Sequence, residues 1–126
     1  MAEMDEQVSS WRQGAEEEMV VARELVESGR IRQGLFFAHL ALEKALKAHV
    51  VRRTGAPPPK IHALLRLAEL ARVDAGREQA EILAEMNRFC ILARYPEEER
   101  QTPSPDDAKR YLARAAKAYE WLMSLS

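Results

Sequence analysis

What this chain lacks narrows what it can be. Its single cysteine, Cys90, among 126 residues excludes an internal disulfide, so folding does not depend on an oxidising compartment. There is no glycine-rich phosphate loop, no paired Cys/His spacing for zinc and no H-E-x-x-H helix, so neither a metal nor a cofactor is expected. Nineteen basic against 20 acidic residues leave a formal charge of -1. That balance gives no global attraction to RNA, DNA or anionic lipid, and any such binding needs a local patch. No apolar run approaches the ~20 residues of a membrane span. The opening Met1-Ala2-Glu3-Met4-Asp5-Glu6 has the wrong charge for a secretory signal, so the cytoplasm is the expected location, with no membrane partner. Glycine is scarce, and Gly29, Gly55, Pro57-Pro58-Pro59, Gly76, Pro96 and Pro105 stand at breaks between periodic segments.

What is present is helical. The 47% apolar and 31% charged content is that of a folded chain, and the length fits one domain, residues 1–126, burying roughly two thirds of its unfolded surface. Val8, Trp11, Ala15, Met19, Ala22 and Val26 recur at helical steps until Ser28-Gly29. A second helix starts near Arg30 or Ile31, close enough to be an antiparallel neighbour, and runs to about Arg53. The run Thr54-Gly55-Ala56-Pro57-Pro58-Pro59 cannot be helical and predicts an extended strut. A third helix is expected from Ile61 to Val73, opened by His62. A fourth has Ile82, Leu83, Met86, Phe89, Cys90 and Ala93 on one face and stops at Pro96. The last has Ser104 as N-cap, Pro105 at the first position and Asp106-Asp107 in the first turn. Its core face reads Ala108, Leu112, Ala115, Tyr119 and Leu122, with Arg110, Arg114, Lys117 and Trp121 on the outer side. No segment alternates with period two. The expectation is an all-α, antiparallel up-down bundle of four to five helices.

The second helix is the unusual one. From Phe36 to Val51 it is apolar in nearly every direction, yet His39, Glu43 and Lys47 fall within about 40° of one line. A helix this apolar belongs at the centre of a bundle, where charges are costly unless paired, wetted or used. The line is therefore read either as a plain intrahelical Glu43–Lys47 pair or as the wall of a groove for a phosphate or nucleotide. Arg94 and Tyr95, ahead of Pro96, have two similar readings. They close a helix end, or they grip phosphate and stack on a base. His62 is either a packed histidine or an anion contact. The ligand-binding candidates are thus His39, Glu43, Lys47, His62, Arg94 and Tyr95.

Three stretches resemble the HEPN family ("higher eukaryotes and prokaryotes nucleotide-binding"). They are Phe36-Phe37-Ala38-His39-Leu40-Ala41-Leu42-Glu43-Lys44-Ala45-Leu46-Lys47-Ala48 after the tight turn, then His62-Ala63-Leu64-Leu65, then Arg94-Tyr95-Pro96, which is similar to the R-Y-P of the compact prokaryotic branch. The resemblance implies a HEPN-like bundle that homodimerises, and it implies partnership with a minimal nucleotidyltransferase in a toxin–antitoxin-like pair. It also implies contact with nucleotides or RNA. A subset of the family are metal-independent ribonucleases whose motif is an arginine, a polar residue, a few more residues and a histidine near the fourth helix. This chain departs there: no histidine follows Arg94, the only three being His39, His49 and His62. Arg32 and His39 have the motif's spacing but lie on the second helix. The reading is therefore a binding partner of a nucleotidyltransferase or of nucleotides, with no confident catalytic residue. The alternatives are an RNA-cleaving toxin with a non-standard site and a plain dimerisation module.

Overall fold

The computed structural model describes residues 2–95 and 102–125; the side chain of Arg94 and all of Pro96 lie outside the described residues. Six helical segments follow one another: α1 (Ala2–Glu27), α2 (Ile31–Thr54), α3 (Leu64–Leu70), α4 (Arg77–Met86), α5 (Arg88–Arg94) and α6 (Pro105–Ser124). Asn87, between α4 and α5, keeps right-handed helical dihedrals (φ -60°, ψ -30°), so the two continue each other with one interrupted turn. The all-α bundle is as expected, with five rods and no strand among the described residues.

The hairpin of α1 and α2 is its foundation. Val8, Ala15, Met19, Ala22 and Val26 form the buried stripe of α1, spaced by sevens, fours and threes as a helix facing one partner must be. Gly29 then takes φ 86°, while the Arg30 amide donates to the Leu25 carbonyl at 2.8 Å and the Gly29 amide to Val26 at 3.1 Å. This end motif satisfies orphan carbonyls and reverses the chain within three residues. Gly34 permits the close contact that follows. A Cβ there would lie 2.6 Å from Val26 Cγ2 and 2.9 Å from the Val26 backbone nitrogen.

Helix α2 is the axis of the molecule. It packs against each of the other five segments, and 15 of its 24 residues are buried, which is why its apolar character runs all round. The core gathers Met19, Leu35, Leu42, Leu46, Leu64, Leu67, Leu83, Met86, Phe89 and Leu122 around it. Phe89 meets Tyr111 edge-to-face at 5.1 Å, closing α5 on α6.

Three expectations are corrected. Helix α3 is shorter than the Ile61–Val73 span, and His62 does not open it. His62 sits in the irregular segment before Leu64, and the first turn of α3 is capped from elsewhere, Asn87 Oδ1 accepting from the Leu64 amide at 3.1 Å. The outer side of α6 is only partly open: Arg110 and Lys117 are exposed, but Arg114 and Trp121 are partly covered. Arg114 meets Glu85 at 2.6 Å and Lys117 meets Glu78 at 3.4 Å, stitching α6 to α4, while Trp121 is half-buried against the core. The start of α6 behaves as read: Ser104 Oγ accepts from the Asp107 amide at 3.2 Å, with Pro105 in the first turn.

Candidate functional site

The polar line of α2 lies inside the bundle, not on its exterior. His39, Glu43 and Lys47 are buried, with relative exposures of 0%, 5% and 6%. Such groups persist in an apolar interior only when each finds a partner, and Glu43 supplies most of the partnering. Its Oε2 accepts from Lys47 Nζ at 2.9 Å, one helical turn on, and its Oε1 accepts from His62 Nδ1 at 2.9 Å. His39 Nε2 donates to the His62 carbonyl at 3.2 Å, and its Nδ1 stands 3.9 Å from Glu43 Oε1. Two residues of α2 thus hold both the ring and the backbone of His62, fastening the segment that follows the proline run.

Lys47 has a further partner. Its ammonium lies 5.5 Å from the centroid of the Trp11 ring, so α1 closes the network from the other side. The Lys47 charge is therefore shared between a carboxylate and an aromatic face. Within this cluster His62 is the accessible member, its side chain 47% exposed. A carboxylate can only accept, so His62 Nδ1 carries the hydrogen in that contact, and in the neutral ring Nε2 is then the basic nitrogen. The four α2-line and loop candidates, His39, Glu43, Lys47 and His62, are brought together. Tyr95 is not among them. It caps α5 with its amide donating to the Ile91 carbonyl, and its ring is half exposed.

A second buried polar contact lies further along α2. His49 Nε2 donates to the Leu122 carbonyl at 2.7 Å, and Arg12 Nη2 donates to the Met123 carbonyl at 3.0 Å. Both are carbonyls of the last turn of α6, that of Leu122 also accepting from the Leu125 amide at 3.3 Å, so the two side chains cap this helix end. Burial lowers the His49 pKa below its usual value; the hydrogen bond to Leu122 works against that, and the nearby Arg52 and Arg12 charges reinforce it. Among the described residues, no group of histidine, cysteine and acidic side chains is arranged to hold a metal ion.

This arrangement sits in a bundle whose family match is nearly end to end: the HEPN domain matches residues 8–125. The chain belongs to the HEPN family. No curated protein and no solved structure matches it. In this HEPN domain Glu43 and Lys47, from the Glu43–Ala48 block, form the hub of a buried network, and the His62-Ala63-Leu64-Leu65 stretch joins it by the His62–Glu43 contact. Reading the residues alone missed Trp11, Asn87 and His49 as polar partners. Trp11 and His49 fall on helical faces that look like ordinary core positions, and Asn87 acts on a helix 23 residues earlier in the chain. No described helix is long and apolar enough to cross a membrane.

Proposed function

We propose that this HEPN domain is a binding module rather than a nuclease, holding a nucleotide and working as a homodimer beside a minimal nucleotidyltransferase in a toxin–antitoxin-like pair. The observation that carries this reading is the closure of the α2 network. Phosphodiester cleavage needs a base near the 2′-hydroxyl and a cation free to stabilise charge on phosphorus. The one ammonium in the cluster, Lys47, is buried, bonded to Glu43 at 2.9 Å and set against Trp11. It cannot reach an external phosphate without unmaking the interior. For the homodimer, Ile91 on α5 and Tyr95, the residue that caps that helix, are each about half exposed, large hydrophobic side chains that a second copy would cover.

The test is paired. Purified chain titrated with ATP should bind in the micromolar to millimolar range, and a labelled single-stranded RNA should survive prolonged incubation with it. An absence of ATP binding at several millimolar refutes the nucleotide part; RNA cleavage that co-purifies with the chain refutes the binding-only part. A specific contact favours the second reading, a ribonuclease with a displaced histidine. Glu43 fixes the His62 ring as a carboxylate fixes a general-base histidine. On that reading His62→Ala abolishes cleavage and Glu43→Gln reduces it, whereas a contaminating nuclease is indifferent to both.

A further inference from the structure

At the end of α2 remote from the Ser28-Gly29 turn, three helix ends come together around a cavity of 340 Å³. His49, Arg52 and Arg53 line it from α2, Arg72 and Val73 from the segment after α3, and Leu125 from the end of α6. Three guanidinium groups face one carboxylate there, that of Asp74. Among the described residues, Arg52, Arg53 and Arg72 make no ion pair or side-chain hydrogen bond. Arg66, Arg77, Arg110 and Arg114 each sit against a carboxylate, whereas Arg23, Arg30 and Arg32 are dispersed without one. Only at this cavity do three such arginines without a carboxylate line one space among the described residues.

Helix-end electrostatics accounts for only part of this. Arg52 and Arg53 occupy the last turn of α2, where cations offset a dipole end worth roughly half an elementary charge. Two guanidiniums exceed that, and Arg72 is outside that turn. Its backbone is the stronger sign. Arg72 takes φ 55°, the only positive φ at a non-glycine position among the described residues. It occupies the left-handed site of an end motif, its amide donating to Glu69 and that of Val73 to Ala68, both at 3.0 Å. The equivalent sites after α1 and α2 are filled by Gly29 and Gly55. Glycine is the favoured residue at such a position because a Cβ is strained there. An arginine held against that preference, with its side chain lining a cavity beside two other unpaired arginines, points to use of its charge. The depressed pKa of His49, caused first by burial and then by Arg52 and Arg12, agrees with a positive field in this wall.

We propose that this cavity binds a linear oligophosphate, free or as the tail of a nucleotide. Guanidiniums grip phosphate oxygens through paired N–H donors, and three of them against the single Asp74 carboxylate leave the cavity a net positive charge that suits consecutive phosphate groups. The volume lies at the lower end of small-molecule sites. The formal charge of the whole chain, -1, gives a long polyanion no attraction beyond the cavity, which favours a short one. This deepens the nucleotide-binding reading and rests on it only for the nucleoside part.

Isothermal titration of the full chain with sodium tripolyphosphate, ATP, AMP and a 12-nucleotide RNA tests the assignment. Tripolyphosphate and ATP should bind, with AMP at least ~10-fold weaker. Arg72→Gly, and separately Arg52→Gln with Arg53→Gln, should each weaken tripolyphosphate ~10-fold or more, as expected for lost charged hydrogen bonds, and should flatten the salt dependence. Arg77→Gln, on α4, should change nothing. Arg72→Gly should also leave the melting temperature unchanged or raise it, so its loss of binding cannot be ascribed to unfolding. Tripolyphosphate binding without ATP binding supports the cavity and refutes the nucleotide reading. ATP binding unmoved by the arginine variants but lost in His62→Ala overturns the cavity and leaves that reading standing. Silence from both ligands at millimolar concentration overturns both, and binding of RNA alone overturns the oligophosphate assignment.

Discussion

Glu43→Leu is the change that most directly probes the interior of this bundle. It leaves the Lys47 ammonium, 6% exposed, without its carboxylate and frees His62 from its anchor. Removing one member of a buried ion pair costs about 3–5 kcal/mol, because the remaining charge keeps its desolvation penalty and loses its compensation. Lys47→Met strands Glu43 less severely, since the His62 Nδ1–H still reaches its other oxygen; about 2–4 kcal/mol is expected, including the lost contact with Trp11. With an unfolding entropy near 2.1 cal/mol/K per residue, 3–5 kcal/mol lowers the melting temperature by about 10–20 °C in a chain of this length. The double variant Glu43→Leu, Lys47→Met removes both charges and fills the space with apolar atoms. It should recover most of the loss, retaining a deficit of about 1 kcal/mol for the untethered His62. Urea unfolding followed by far-ultraviolet circular dichroism on the four proteins gives the coupling energy directly. A coupling above 2 kcal/mol is the expected result. If both singles cost under 1 kcal/mol and the double lies within about 0.5 kcal/mol of their sum, the pair behaves like an exposed i,i+4 contact worth ~0.3–0.5 kcal/mol, and the closed-network argument against catalysis is refuted.

Gly34→Ala should destabilise by roughly 1–3 kcal/mol despite its better helix propensity, because the new methyl meets the Val26 backbone as well as its side chain; a neutral result in chemical denaturation would show that α1 and α2 can separate cheaply. His49 prefers its neutral form in the fold, so the unfolded chain binds its proton first as pH falls. Its contribution to stability is present above the unfolded pKa of 6.5 and is lost as pH drops below it. Melting temperatures measured from pH 7.5 to 5 should therefore fall more steeply in the wild type than in His49→Gln, and equal slopes would contradict the assignment. Ser104→Ala should cost about 1 kcal/mol by removing the acceptor for the Asp107 amide, read as a lowered midpoint in urea with unchanged slope.

The element inventory and, α3 apart, its boundaries were written in local chemistry. Ser28-Gly29, the proline run and Ser104-Pro105 act within a few residues of themselves, so their meaning survives without knowledge of the rest of the fold. The central place of α2 was legible for the same reason: a helix apolar in all directions has only one site in a bundle. The HEPN resemblance rested on that helix together with His62-Ala63-Leu64-Leu65 and Arg94-Tyr95-Pro96, and the match over residues 8–125 agrees. Where α3 begins was not legible, since its cap comes from Asn87 on the rod after it. Tertiary structure alone decided that the polar line is shut rather than open. Helical spacing places Glu43 and Lys47 on one face, but only the packing of α1 and the return of the loop through His62 determine whether water reaches them. The arginine cavity was invisible for a related reason. The Arg52-Arg53 pair and Arg72 are separated in sequence by the proline run and α3, and their charges add up only because three helix ends meet, a matter of rod lengths and crossing directions that no local pattern encodes.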